Sequence, residues 1–334
     1  MRFRQKSKKI TRVEVSCCDQ VLTMKRNISI IELAAEFGAG TRGASLGVDA
    51  LRFACLNKQY DKYFELPSIY IEGDPERLVD RVSFPNAKRI DLILDVYERH
   101  IQRVKELIEE KYFPFVISGD HSNAAGTVAA LKSQYPDKRL GVIWIDAHAD
   151  LHTPYSSPSG NVHGMPVAAI LNLTNENLAI RKPSKETIKH WETLCQIGGI
   201  APKIAAEDLV FIGIRDLEEQ EWNIIKQYNI QHFTNHDLNR LGSATVLEQT
   251  QQHLQECDLI YVSFDIDSLD KDLVPGTGTP VEDGLSFGQA RDLLKGFWEM
   301  EKLVCLEFTE INPLLDVRNK TADIAADLFY ELIK

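Results

Sequence analysis

Short apolar runs alternate with amphipathic stretches along most of the chain. The apolar runs are rich in β-branched residues, and polar residues follow each of them. Strands that read as near-continuous apolar runs are usually parallel and covered on both faces. The pattern predicts five such strands, over residues 115–118, 141–145, 209–214, 259–264 and 303–308.

The amphipathic stretches between these runs have the spacing of helices. The longest, 91–111, places Ile93, Tyr97, Ile101, Val104 and Ile108 near one face. Shorter helices are predicted over 124–133, 218–227, 286–299 and 321–333. Alternation of this kind indicates a doubly wound α/β sheet, and such sheets bind ligands beyond the carboxyl ends of their strands.

A regular set of titratable residues follows the second predicted strand. Asp146, His148 and Asp150 occupy alternate positions directly after the apolar run. While the backbone stays extended, such side chains share one face. Two carboxylates beside an imidazole suit a divalent cation. The alternative is a surface loop with chance alternation, which the preceding buried strand disfavours.

Polar residues follow the other predicted strands as well. His121 follows the first strand, Asp265 and Asp267 follow the fourth, and Glu310 follows the fifth. Taken alone, His121 is more typical of a hydrogen-bonded structural histidine. Asp216, Glu218 and Glu221 follow the third strand; for Glu218 and Glu221 a polar helix start is an equal alternative, because acidic groups are favoured in a first helical turn.

Together these strand ends supply a set of metal ligands. Four carboxylates and two imidazoles carry a charge of −4, which balances two divalent cations, and the oxygen-rich set favours Mn²⁺ over Zn²⁺. The predicted ligands are His121, Asp146, His148, Asp150, Asp265 and Asp267.

Net charge and composition limit the classes of binding partner and the cellular location that we expect. A net charge of −11 argues against nucleic acid or an anionic membrane surface as a partner. No apolar run approaches the roughly 20 residues that span a bilayer. The six cysteines have no CxxC spacing, which favours a reducing, cytoplasmic location without disulfides. The first twelve residues carry six basic side chains and no acidic ones, which is more typical of a solvated tail than of an organelle-targeting segment.

The ordered motifs GDHS, DAHAD, SGNVHGMP, SFDIDSLD, PGTGTP and TEINP resemble the ureohydrolase family of arginases, agmatinases and their relatives. SGNVHGMP is most similar to the arginase branch. The resemblance implies a three-layer α/β/α fold with a mainly parallel central sheet. It implies one catalytic domain over 26–334, preceded by a basic tail over 1–25 of uncertain role. It also implies a homo-oligomer, usually a trimer or hexamer.

The resemblance also implies a reaction. Two Mn²⁺ ions would bind the six predicted ligands, and a bridging hydroxide would attack the carbon of a substrate guanidinium group. Glu310 would hold the guanidinium group, and Thr279 would lie near it. Asp150 would relay the proton of the hydroxide, and His163 would shuttle protons to the leaving amine or from solvent.

Substrate choice is expected to depend on loops around this centre. By resemblance, Ser159 and Asn161 match residues with which arginases bind the amino-acid end of arginine. Glu218 stands where arginases usually have aspartate, and His152 stands where they usually have asparagine, although histidine can still donate to a carboxylate. Lys271 and Asp272 also depart from the family pattern, in a peripheral loop.

The leading hypothesis is a manganese-dependent arginase that produces L-ornithine and urea. Another amidinohydrolase, acting on agmatine, a guanidino acid or formimidoylglutamate, is the close alternative. A catalytically silent metal-binding protein and a zinc deacetylase are further alternatives, and the two-metal ligand set disfavours the deacetylase.

Overall fold

An eight-stranded, all-parallel sheet forms the centre of the molecule. The computed structural model describes residues 26–334, so the basic tail over 1–25 lies outside the described residues. The sheet has the order β2-β1-β3-β8-β7-β4-β5-β6. The strands are β1 (Ile28–Ala34), β2 (Ser68–Glu72), β3 (Phe113–Ser118), β4 (Leu140–Ile145), β5 (Leu209–Ile214), β6 (Gln231–Thr234), β7 (Leu259–Asp265) and β8 (Leu303–Thr309).

Eleven α-helices of the described chain pack around this sheet. They are α1 (Gly47–Asn57), α2 (Lys62–Glu65), α3 (Ile90–Glu109), α4 (Ala124–Gln134), α5 (Pro166–Ile170), α6 (Lys185–Gln196), α7 (Glu219–Tyr228), α8 (Asn235–Leu241), α9 (Ser243–His253), α10 (Phe287–Trp298) and α11 (Lys320–Ile333). Short 3₁₀ turns follow several strands, including Ile266–Ser268 after β7.

The sheet separates two apolar cores. In β4, Val142 and Trp144 belong to one core, while Ile143 and Ile145 belong to the other. Side chains of α3 to α7 cover the first face, and side chains of α1, α2 and α8 to α11 cover the second. Because successive side chains of a strand point to opposite faces, both sides of the apolar run are buried. The predicted three-layer α/β/α fold with a parallel sheet is confirmed.

The five predicted strands are the five neighbouring strands β3, β8, β7, β4 and β5. Their carboxyl ends therefore meet along one edge of the sheet, which brings the polar clusters together. The three strands that the apolar pattern did not predict are β1, beside this block, and β2 and β6 at the two edges. No helix within 26–334 is long and apolar enough to cross a membrane.

Candidate metal centre

Local turns, rather than extended strands, bring the acidic residues together. The chain leaves β4 at Ile145, and Asp150 adopts a left-handed backbone with a φ of 52°. The expectation that an extended backbone aligns Asp146, His148 and Asp150 is therefore wrong. Instead, the carboxylate of Asp146 accepts the backbone N–H of His148 at 2.8 Å, which closes a tight turn.

The same turn recurs one strand away. Asp265 ends β7, and its Oδ1 accepts the backbone N–H of Asp267 at 2.8 Å. Each of these turns brings two side chains to the same edge of the sheet. The turn after β3 adds His121; it passes so close to β1 that a Cβ on Gly119 would lie 2.2 Å from the carbonyl oxygen of Ala35.

The six predicted ligands form two adjoining groups. In the first, Nδ1 of His121 lies 3.0 Å from Asp146, 3.2 Å from Asp150 and 3.0 Å from Asp265. In the second, Nδ1 of His148 lies 3.3 Å from both Asp146 and Asp267. The ligand atoms of His121, Asp146 and Asp265 lie within 4.8 Å of one another, as do those of Asp146, His148 and Asp267. Asp146 therefore joins both groups.

These residues fit divalent cations. The Nδ1 atom of His121 and the Oδ2 atom of Asp150 are buried, lie 3.2 Å apart and yet form no hydrogen bond of good geometry. Burial, followed by the charge of Asp146, raises the pKa of Asp150 to about 6. Unsatisfied donor atoms and crowded carboxylates are costly unless a cation lies among them. Their chemistry of carboxylate oxygens and imidazole nitrogens suits two such ions.

Two residues that the sequence did not single out support the ligands. The ring of Trp144 stacks on His121 with a centroid separation of 4.0 Å and donates from Nε1 to Asp146 at 3.0 Å. Ser263 Oγ lies 2.7 Å from Nε2 of His121. A partner at Nε2 leaves Nδ1 facing the carboxylates, which is how histidine ligands are commonly oriented. Both residues lie two positions before a candidate ligand, and this spacing is the signal that could have identified them.

The two groups lie in a cavity of about 270 Å³. Its walls include every predicted site residue except Glu310, and also include Ser157, Pro158, Gly164, Asp216 and Glu221, which were not among the predicted site residues. Within it, Thr279 donates to Asp267 at 3.0 Å.

Glu310 does not line the cavity but contacts two residues that do, His121 and His163. Its backbone is left-handed, with a φ of 64°, and its carboxylate accepts the backbone N–H of His121 at 2.9 Å. The same oxygen lies 3.2 Å from Nδ1 of His163, which does line the cavity. Burial lowers the pKa of His163, but the hydrogen bond and charge of Glu310 outweigh burial and raise it to about 9. His163 therefore stays protonated at neutral pH.

Glu218 is both a helix cap and part of the cavity wall. Its backbone N–H donates to the carboxylate of Glu221 at 3.1 Å at the start of α7, so the alternative of a polar helix start is confirmed for this segment, and Glu218 also lines the cavity. Nε2 of His152 lies 3.0 Å from the carboxylate of Glu218. This hydrogen bond, the largest cause, lowers the pKa of Glu218 to about 2, whereas burial raises the pKa of Glu221 to about 8.

Comparisons with known proteins agree with this geometry. The family model described as "Arginase family" matches residues 26–334. The arginase of Bacillus subtilis (strain 168) is 36% identical over 313 residues, which cover 93% of this chain and 98% of that protein.

Solved structures give the same result. The native structure of the Bacillus caldovelox arginase has a TM-score of 0.80 at 35% identity, covering 93% of this chain and 98% of the other. The structure of Entamoeba histolytica arginase in complex with L-ornithine has a TM-score of 0.78 at 25% identity, covering 92% and 99%. The resemblance drawn from the motifs is confirmed, and the chain belongs to the arginase family of hydrolases.

Proposed function

We propose that residues 26–334 form one catalytic domain that hydrolyses L-arginine to L-ornithine and urea, with two Mn²⁺ ions bound by the six ligands. One observation carries the proposal: a single cavity holds both candidate metal groups and, at its rim, the exposed Ser159 and Glu218 and the partly buried Asn161. The buried end suits a guanidinium group, and the rim suits the amino-acid end of the substrate. Relatives that are named arginases, one of them in complex with L-ornithine, support the same substrate.

The reaction needs a nucleophile, a place for its proton and a proton for the leaving amine. Two bound divalent cations would acidify water and so supply a nucleophile near neutral pH. Asp150, whose carboxylate lies 3.2 Å from His121 in the first metal group, can accept the proton and relay it onward. His163, protonated below a pKa of about 9, donates a proton to the departing nitrogen as its bond to the guanidinium carbon breaks.

Glu310 orients the acid and supplies negative charge to the buried end. Its Oε1 atom is occupied by His121 N–H and His163, while the Cβ position of Gly278 would lie 3.6 Å from Oε2. The absence of a side chain at Gly278 leaves space beside Oε2 for a guanidinium N–H. A charge-assisted hydrogen bond there holds the substrate carbon near the metal ligands.

Urea release is the direct test. The full chain is stripped of metal, reloaded with Mn²⁺ or Zn²⁺, and assayed with L-arginine, agmatine and 4-guanidinobutyrate. We expect urea from L-arginine in the Mn²⁺-loaded protein, with weaker activity when Zn²⁺ is bound. Metal binding without urea release from L-arginine would reject the proposal. Light scattering after size-exclusion chromatography tests the proposed trimer or hexamer in the same preparation.

The contact between His152 and Glu218 favours one second candidate. An imidazole N–H already bonds the carboxylate that would face a substrate ammonium group. A guanidino acid, which lacks that ammonium group, loses less in this pocket than in one with a free carboxylate. Faster hydrolysis of 4-guanidinobutyrate than of L-arginine would support this candidate.

A further inference from the structure

One basic side chain outside the predicted set contacts a residue of the cavity rim, although it does not itself line the cavity. Lys88 lies just before α3, and its backbone N–H donates to the carbonyl of Gly160 at 2.7 Å. This bond ties Lys88 to the loop that carries Ser159 and Asn161. The ammonium group of Lys88 then donates to Oδ1 of Asn161 at 3.0 Å.

This contact decides which way the amide of Asn161 points. An ammonium group has donors and no acceptor, so the atom that faces Lys88 must be the amide oxygen. The amide NH₂ group therefore turns to the other side. Gly40 makes room for it, because a Cβ on that residue would lie 2.5 Å from Nδ2. Within 26–334, Nδ2 of Asn161 donates to no protein acceptor, so it is available to a ligand.

The charge of Lys88 is also available. Among the described residues, no carboxylate lies within 4.0 Å of its ammonium group. The wall of the cavity also carries Asp216 and Glu218, and His152 Nε2 is engaged with Glu218. The rim is thus positive where Lys88 meets Asn161 and negative around Glu218. A zwitterionic amino-acid group matches this arrangement.

We propose that Lys88 is a specificity-determining residue that recognises the carboxylate of the substrate, directly by its charge and indirectly by orienting Asn161. The proposal rests on the proposed function, since it concerns the amino-acid end of the same pocket. It assigns the carboxylate to Lys88, Asn161 and Ser159, and not to His152, whose Nε2 faces Glu218.

Three substrates separate the two ends of the amino-acid group. L-arginine has both the ammonium and the carboxylate, agmatine lacks the carboxylate, and 5-guanidinopentanoate lacks the ammonium. In Lys88→Met we expect KM for L-arginine and 5-guanidinopentanoate to rise about ten- to hundredfold, as for loss of one hydrogen bond to a charged group. The KM for agmatine and the kcat for all three should stay within about twofold of wild type.

Two further variants serve as controls. Lys88→Arg keeps the charge and should restore most of the affinity for L-arginine. Lys132→Met removes a surface ammonium group that donates only to the carbonyl of Lys138, and it should leave every constant unchanged. Equal losses on L-arginine and agmatine would indicate a merely structural role and overturn the proposal, as would an unchanged KM for L-arginine.

A binding measurement distinguishes failure of this inference from failure of the proposed function. L-ornithine and putrescine differ only by the carboxylate, and calorimetry on the Mn²⁺-loaded protein requires no turnover. Weaker binding of L-ornithine, but not of putrescine, to Lys88→Met supports the inference even if urea is never released. Equal binding of L-ornithine to both proteins, or none to wild type, overturns it.

Discussion

The acidic side chains of the metal centre should destabilise the protein when no cation is bound, and Asp265 tests this most directly. It is buried, with Oδ2 3.0 Å from His121. Burial, followed by the charges of Asp267 and Asp146, raises its pKa well above the ordinary value. We therefore expect Asp265→Asn to stabilise the metal-free protein and to remove the stabilisation that a cation in the His121 group provides.

The magnitude follows from the geometry. The ligand oxygens of Asp146 and Asp265 lie within 4.8 Å of each other. Two unit charges at that distance repel by about 3.5 kcal/mol at an effective dielectric constant of about 20. Attraction between Asp265 and His121 offsets part of this repulsion, so a net gain of about 1–2 kcal/mol is expected. A raised carboxyl pKa means that the folded state favours the neutral acid. The gain therefore appears above the ordinary carboxyl pKa and grows with pH.

Denaturant unfolding of metal-stripped and Mn²⁺-saturated protein at mildly alkaline pH measures both effects. Saturating metal at about 100 times its Kd should stabilise wild type by about 2.7 kcal/mol per site, and Asp265→Asn should lose this gain. Asp272→Asn is the matched control, because Asp272 is exposed in the same loop and belongs to neither metal group. If Asp265→Asn destabilised the metal-free protein, charge crowding would not be what strains this centre, and the reasoning would be wrong.

Three other substitutions test separate parts of the structure. Lys203 is buried and donates to the carbonyl of Cys195 at 2.7 Å, and burial lowers its pKa from 10.5 to about 8. Its charge therefore costs stability below about pH 8, and the wild-type protein should become more stable as pH rises above 8. Lys203→Met should gain about 2 kcal/mol at neutral pH and should lack this rise. Denaturant unfolding across pH measures both effects. Glu310→Gln should lower the pKa of His163 from about 9 and remove the stability that the imidazolium contributes below that pH. An NMR titration of the metal-free protein measures this pKa, and an unchanged value would contradict the pairing of His163 with Glu310. Gly40→Ala places a Cβ 2.5 Å from Nδ2 of Asn161, so it should raise KM for L-arginine while a metal titration stays unchanged.

The central sheet could be predicted because its strands are buried on both faces. Strands β4 and β5 are buried throughout and read as unbroken apolar runs. The edge strands β2 and β6 are only partly buried, so their sequences mix polar and apolar residues. Strand β1 is fully buried but contains Glu32, whose carboxylate pairs with Arg52 and Tyr63 from other elements. Sequence periodicity cannot anticipate a partner that only tertiary structure supplies.

The candidate site was likewise predictable only in part from the sequence. Asp146 and Asp265 could be located from the sequence, because each stands where an apolar strand ends. The backbone that orients them could not, since both carboxylates bond the N–H two residues later and the strand alternation stops there. The supports Trp144 and Ser263 carry one signal in the sequence, since each lies two positions before a candidate ligand.

Substitutions at the buried base and at the exposed rim of this cavity should have different effects on stability. At the base, the candidate ligands other than His148 are buried, and His121 and Asp146 are held by other buried groups, so a substitution there alters several bonds at once. At the rim, Ser159 and Glu218 are exposed. Lys88 is half-buried, and its ammonium group makes a single hydrogen bond, to Asn161. Changes at the rim therefore cost little stability and leave the metal ligands in place. The departure at Glu218 falls on this rim, and the departure at His152 is buried beside it and contacts it. Neither belongs to the two metal groups, so they can alter which guanidino compound binds without removing a metal ligand.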